Sequence, residues 1–170
     1  TGRLNKEEIK SREKSGEIKT GLFSAEPIEL GGKKCMILVI TDITEQVKAK
    51  EALRESEEKF SKAFQASPIS LSISRLSDGT FLEVNESFLR EKGYTREEVI
   101  GHSADDINIR INQTVFNNSM QMLQEKGRIH NEQIQYRTKS GRIRTGLMSA
   151  EIINIGNEAC MLILNNDITR

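Results

Sequence analysis

The chain has 170 residues, with 25 Lys plus Arg against 25 Asp plus Glu, two histidines, two cysteines and no tryptophan. That balance supplies no net basic field to hold nucleic acid or an anionic membrane surface. The longest apolar run, residues 35–40, falls far short of the roughly 20 residues needed to span a bilayer, so direct membrane contact is not expected and a reducing, cytosolic setting is.

Taken in chain order, residues 2–44 return without a gap as residues 127–169. Between 1–44 and 126–169, 22 of 44 positions are identical. A period that long is a whole domain rather than a solenoid unit. Three parts are therefore expected: the three-strand C-terminal part of one domain (1–44), a connector (45–66), and a complete second domain (67–170). In the first part, Met36, Leu38 and Ile40 share one strand face and Cys35, Ile37 and Val39 the other. With neither cover nor a partner for the last strand's edge, this part is expected to pack on a second chain or on the complete domain.

Residues 45–65 contain no Gly or Pro and are rich in Glu, Lys, Ala and Arg, which predicts a helix. Asp42 or Thr44 can cap its start, and Glu45 suits its first turn. Ala49, Leu53, Ser56, Phe60 and Ala63 form a thin heptad stripe. Two readings stay open, an amphipathic helix lying on its own domain or a parallel coiled coil, and a homodimer through this helix and residues 1–44 is expected. Pro68 ends the helix.

Residues 69–74 alternate Ile/Leu with Ser, a strand with one apolar face. Ser77-Asp78-Gly79-Thr80 is a hairpin turn, and residues 81–84 return. Asn85 can cap a short helix carrying Phe88 and Leu89, and Thr95 with Glu98 makes a capping box for another. Residues 102–112 read as irregular. A helix then runs from Asn112 or Thr114 to about Lys126, with Val115, Phe116, Met120 and Leu123 inward. The second copy closes with strands at 129–138, 142–155 and 159–165, joined by tight turns and hence antiparallel. Residues 160–164 are apolar at every position, so this strand must be covered on both faces and lie centrally. Cys35 and Cys160 occupy equivalent repeat positions and read as small buried hydrophobes. The class is α+β, with short helices over one face of an antiparallel sheet.

In order and spacing, several segments together resemble a PAS domain closed by a PAC motif. They are Phe60 with Ala66-Ser67-Pro68, Asn85-Glu86-Ser87-Phe88, residues 93–101 (GYTREEVIG), Arg137-Thr138-Lys139-Ser140-Gly141 and Asp167-Ile168-Thr169. The resemblance covers residues 56–170, and residues 1–44 match only its PAC part. It implies a five-stranded antiparallel sheet in the order 2-1-5-4-3. It also implies a sensory module that relays a signal through flanking helices to an effector, such as a histidine kinase or diguanylate cyclase, outside this chain.

No enzymatic constellation is present: no phosphate-cradling glycine loop, no Cys-x-x-Cys and no His-Glu-x-x-His. His102 and His130 read as loop or strand-edge side chains, and Asp105-Asp106 as a solvated or capping pair. Among cofactors that PAS domains hold, haem takes a histidine on the covering helices, and residues 115–126 have none. Photosensory flavin takes a cysteine in the helical segment, whereas both cysteines here fall in strands. No cofactor and no metal are expected.

The apolar interior can be a filled core or a small pocket for an apolar metabolite. Its candidate lining is Ile73, Val84, Asn85, Phe88, Tyr94, Asn112, Phe116, Met120, Leu147 and Leu162, with Leu71, Val99, Ile107 and Leu123 around them, and Asn85, Tyr94 or Asn112 as polar anchor. Asp42, Thr44, Asp167 and Thr169 are the candidate relay junctions, placed where the last strand of each copy ends. A structural spacer with a packed core is the alternative function.

Overall fold

A computed structural model describes residues 4–169; Gly2 and Arg3, which open the repeat, and Arg170, which closes the PAS-like stretch, lie outside the described residues. The chain divides into two compact units, Thr1–Lys59 and Phe60–Arg170.

The first unit holds a three-stranded antiparallel meander, β1 (Leu4–Arg12), β2 (Ile18–Leu30) and β3 (Lys33–Asp42), in that spatial order. Helix α1 (Thr44–Ala66) starts here and ends in the second unit, close to the predicted bounds. Every residue of β3 is exposed, with Met36 at 62 %, Leu38 at 57 % and Ile40 at 63 %. Cys35 is exposed as well, not buried as its place in an apolar strand suggested. An unbroken apolar run marks a strand as able to be buried, but burial needs covering elements, and among the described residues β3 pairs with β2 alone. The stripe on α1 is likewise open, with Leu53 and Phe60 at 61 % and 62 % exposure.

The second unit contains β4 (Ser70–Arg75), β5 (Phe81–Val84), α2 (Glu86–Lys92), α3 (Arg96–Val99), α4 (Gln113–Lys126), β6 (Arg128–Arg137), β7 (Ile143–Ile155) and β8 (Glu158–Asp167). The five strands form one sheet in the order β5-β4-β8-β7-β6, the 2-1-5-4-3 order expected. The apolar strand β8 is central and antiparallel to both neighbours, β4 and β7. The predicted caps are in place. Asn85 Oδ1 accepts from Phe88 N at 2.9 Å, Glu98 Oε2 accepts from Thr95 N at 2.9 Å, and Asn112 Oδ1 accepts from Thr114 N and Val115 N at 3.0 and 3.1 Å. Gly141, with φ of 84°, takes the left-handed turn between β6 and β7 that a side chain would strain.

Both faces of the sheet are covered. On one face Phe64, at the end of α1, packs with Ile73, Cys160, Leu71, Leu82, Ile153 and Leu162. On the other, α4 brings Leu123 against Ile129, Ala150 and Met161, while α2 and α3 enclose Phe81, Val84, Phe88, Val99, Ile109 and Tyr136. Central β8 therefore buries apolar side chains in both directions.

Candidate functional site

Between the α2/α4 side of the sheet and the helices lies a cavity of about 330 Å³. Its floor comes from β4 and β8. Ser70 pairs in register with Asn165 and Ser72 with Ile163, and all four side chains line the cavity. Phe88 and Lys92 enter from α2, Phe116 and Ser119 from α4, and Tyr136 from β6.

Of the ten expected lining residues, the structure brings Phe88, Asn112 and Phe116 to this cavity. Ile73 and Leu162, with Leu71, face the other way and pack on Phe64. Leu147 stands on that same outer face, opposite Asn166. Val84 is fully buried in the cluster beside the cavity, and Met120 packs against the Leu123 cluster. Tyr94 also packs beside the cavity and donates its hydroxyl to Ile107 O at 2.6 Å. Asn85 is a fastening point: its amide nitrogen donates to the carbonyls of Phe64, Ser67 and Ile69, and its oxygen also accepts from Leu71 N at 2.9 Å. It thus ties the end of α1 to the starts of β4 and α2. The reversal of β4 has a plain cause. The apolar face of an alternating strand was expected to meet the roofing helices, but Phe64 takes that face, leaving the serines to the cavity.

The residues that sequence reasoning missed are polar. Lys92 is 4 % exposed, its ammonium 2.6 Å from Glu91 Oε1 and 3.6 Å from the centre of the Tyr136 ring. The same carboxylate oxygen accepts from the Tyr136 hydroxyl at 2.5 Å and from Asn165 Nδ2 at 3.1 Å. One acidic side chain of α2 therefore gathers its neighbouring lysine and two strands of the sheet. Burial pushes the Lys92 ammonium below its ordinary value, against the pull of Glu91. Desolvation and the nearby Glu91 carboxylate push the Tyr136 phenol up, so it stays protonated and donates. The signals were slight: the Ser70-x-Ser72-x-Ser74 alternation, and Asn165 interrupting the apolar run of β8.

Two residues after Asn165, on the same face, stands Asp167. Its carboxylate is paired with Arg144, and its Oδ1 accepts from Thr169 N at 2.9 Å. Against desolvation, the Thr169 hydrogen bonds and the Arg144 guanidinium hold this carboxyl down to about 2. Thr169 Oγ1 accepts from Thr145 N at 2.9 Å, while Ile168 N donates to Thr145 O at 2.9 Å. The first copy repeats this arrangement. Asp42 Oδ1 accepts from Thr44 N at 3.0 Å, Thr44 Oγ1 from Thr20 N at 2.9 Å, and Ile43 N donates to Thr20 O at 2.9 Å. There Thr44 is the first residue of α1, so the Asp-Ile-Thr triplet rivets a helix start to the strand pair below it.

A family model for the PAS domain matches residues 68–170. No curated protein matches the chain. Among solved structures, the PAS domain of an HTR-like protein from Haloarcula marismortui is 22 % identical; the match covers 71 % of this chain and 98 % of that one, with a TM-score of 0.56. A PAS domain from a two-component sensor histidine kinase is 19 % identical over 67 % of this chain and 98 % of its own, with a TM-score of 0.59. The Rhodobacter sphaeroides LOV protein is 15 % identical over 68 % and 69 %, with a TM-score of 0.56. These likenesses are in the fold. The family match spans the five-stranded sheet and helices α2, α3 and α4, from the start of β4 to the Asp-Ile-Thr junction, and on that ground the chain belongs to the PAS domain family.

Proposed function

We propose that the second unit is a sensory module: it takes a small molecule into the cavity and reports it at the Asp167–Thr169 junction to an effector, such as a histidine kinase or diguanylate cyclase, outside this chain. The observation that carries this reading is the polar cluster on Glu91. It has one side on the cavity wall, through Lys92, Tyr136 and Asn165, and stands beside Asp167, whose charge acts on both Lys92 and Tyr136. A ligand that re-points Lys92 or Asn165 alters the field at Asp167, and Asp167 holds Thr169 on Thr145. The cavity weighs against a spacer with a packed core. Its size, about 330 Å³, falls at the small end of ligand sites.

The test is thermal unfolding of the whole chain against a metabolite library. A ligand that binds only the folded state raises the melting temperature as its concentration passes Kd. Stabilisation by at least one compound, lost when Ser72→Leu fills the cavity, is expected. No stabilisation by any compound supports the spacer. The open β3 face favours one addition, that residues 1–44 pair with a second copy of this chain. Removing residues 1–40 should then shift the mass in solution toward the monomer, and an unchanged mass removes that role.

A further inference from the structure

Two cationic side chains, Lys92 and Arg110, line the cavity, and no carboxylate does among the described residues. Arg110 is answered by Asp105 and stands over the Phe116 ring, its Cζ 3.4 Å from the ring centre. Lys92 is thus the cation whose donors remain for a guest. Its ammonium has three N–H groups, of which one reaches Glu91 and one face meets Tyr136. Two residues of the cavity floor each carry a buried polar atom without a partner, Ser70 Oγ and Asn165 Oδ1. Their residues are cross-strand partners, so both project from adjoining points of one face. The Asn165 amide is not free to turn away. Its Nδ2 is held by Glu91, and Gly146 leaves it room that a Cβ, only 2.2 Å from Oδ1, would take. Leaving such atoms dry and unpaired is costly, and each orphan defines what would satisfy it. Lys92 and Ser70 ask for an acceptor, and the two oxygens of a carboxylate can answer an ammonium and a hydroxyl together. Asn165 Oδ1, on the cross-strand partner of Ser70, asks for a donor. The remaining wall, with Phe88 and Ile163, is mostly apolar.

We propose that the cavity takes a small 2-hydroxycarboxylate with an apolar tail. The carboxylate sits on Lys92 Nζ and Ser70 Oγ, its neighbouring hydroxyl donates to Asn165 Oδ1, and the tail lies among the rings of Phe88 and Phe116. This rests on the sensing role proposed above and names the ligand class.

Calorimetric titration of the whole chain tests it, using 2-hydroxy acids with linear and branched tails of roughly two to eight carbons, a span set by the small cavity. The matching acids without the hydroxyl and the matching 2-hydroxy amides are the controls. At least one 2-hydroxy acid should bind, and losing either the hydroxyl or the charge should weaken it about tenfold or more, because each leaves a buried group unpaired. The double variant Lys92→Met with Glu91→Gln removes both charges together, so neither stays buried alone, and should erase the preference for acid over amide. Ser70→Ala, a small change on an ordered strand, should weaken the acid while leaving the fold intact, and serves if the double variant does not fold. Amides or unhydroxylated acids binding as tightly as the 2-hydroxy acids overturn the ligand class but leave sensing in place. Failure of every 2-hydroxy acid at millimolar concentration also overturns the class, and a neutral hit in the metabolite screen would then show that the sensing role stands without it.

Discussion

Strands β3 and β8 are two printings of nearly the same text in different surroundings. Cys35-Met36 and Cys160-Met161 open an apolar run in each, and each run ends in Asp-Ile-Thr. The pairing is also the same: Gly21 faces Asp42 as Gly146 faces Asp167, and Ala25 faces Leu38 as Ala150 faces Ile163. Even the irregularity recurs, between Leu4 and Glu7 in β1 and between Ile129 and Glu132 in β6. Yet β3 is exposed along its length while Cys160 and Met161 are 0 % and 3 % exposed. What separates the copies is β4 on the free edge, Phe64 on one face and α2 with α4 on the other. Hydrogen-bond register is thus a local property of the meander, whereas burial is conferred by elements distant in sequence.

Equivalent substitutions in the two copies test that distinction. The largest contrast should appear at the cysteines. In the folded protein Cys35 should react with iodoacetamide about a hundredfold faster than Cys160, which must wait for the sheet to open. Mass mapping of the alkylated peptides reads this out, and comparable rates would mean that β3 is covered in solution. Next come the methionines. Met161→Ala should destabilise the second unit by about 2–5 kcal/mol, while Met36→Ala stays within about 0.5 kcal/mol, by urea unfolding. A large cost at Met36 would again reveal a cover over β3.

The glycines sharpen the comparison from the other direction. Gly146→Ala drives a Cβ into Asn165 and should cost about 1–3 kcal/mol, as overpacking does. A Cβ at Gly21 meets Ile40 Cγ2 at 3.0 Å, an exposed side chain that can swing aside, so Gly21→Ala should cost less. Thermal unfolding of the two variants decides, and equal costs would show that Asn165 gives way freely.

The smallest contrast is at the junctions, where the geometry is shared. Asp167→Ala should cost about 1 kcal/mol, and Asp42→Ala, on a more exposed carboxylate, somewhat less. Because folding lowers the Asp167 carboxyl from its ordinary 3.8 to about 2, its contribution is complete above pH 4. It fades as the pH falls toward 2, since the unfolded chain then binds the proton more readily. Acid unfolding curves should show this part of the pH dependence missing in Asp167→Ala, and an unchanged curve would remove Asp167 as a stabilising carboxylate.

Much of the fold was legible because short-range physics carries it. The absence of Gly and Pro over residues 45–65 marked a helix, Asn85 and Asn112 capped where placed, and an apolar run at consecutive positions located β8 at the centre. The pocket was less legible. Phe88 and Phe116 could be named because they lie on helices with a clear inner side, and Asn112 because it caps the second of these. Ile73, Leu147 and Leu162 went to the opposite face because strand alternation separates two faces without saying which meets which neighbour. Lys92, next to the Gly93 cap, is of a residue type that suits a helix C-terminus in solvent, and only the packing of Glu91 and Tyr136 draws it inward.

The sequence by itself determined the repeat, the meander and its turns, the helix bounds and the Asp-Ile-Thr rivet, since each depends on neighbours within a few residues or one tight turn. Tertiary structure alone decided which face of β4 looks into the cavity, why β8 is buried and β3 is not, and that Glu91, Lys92, Tyr136 and Asn165 meet. Those outcomes depend on covering elements far away in the chain, and burial, charge pairing and cavity shape come into being only when such elements pack.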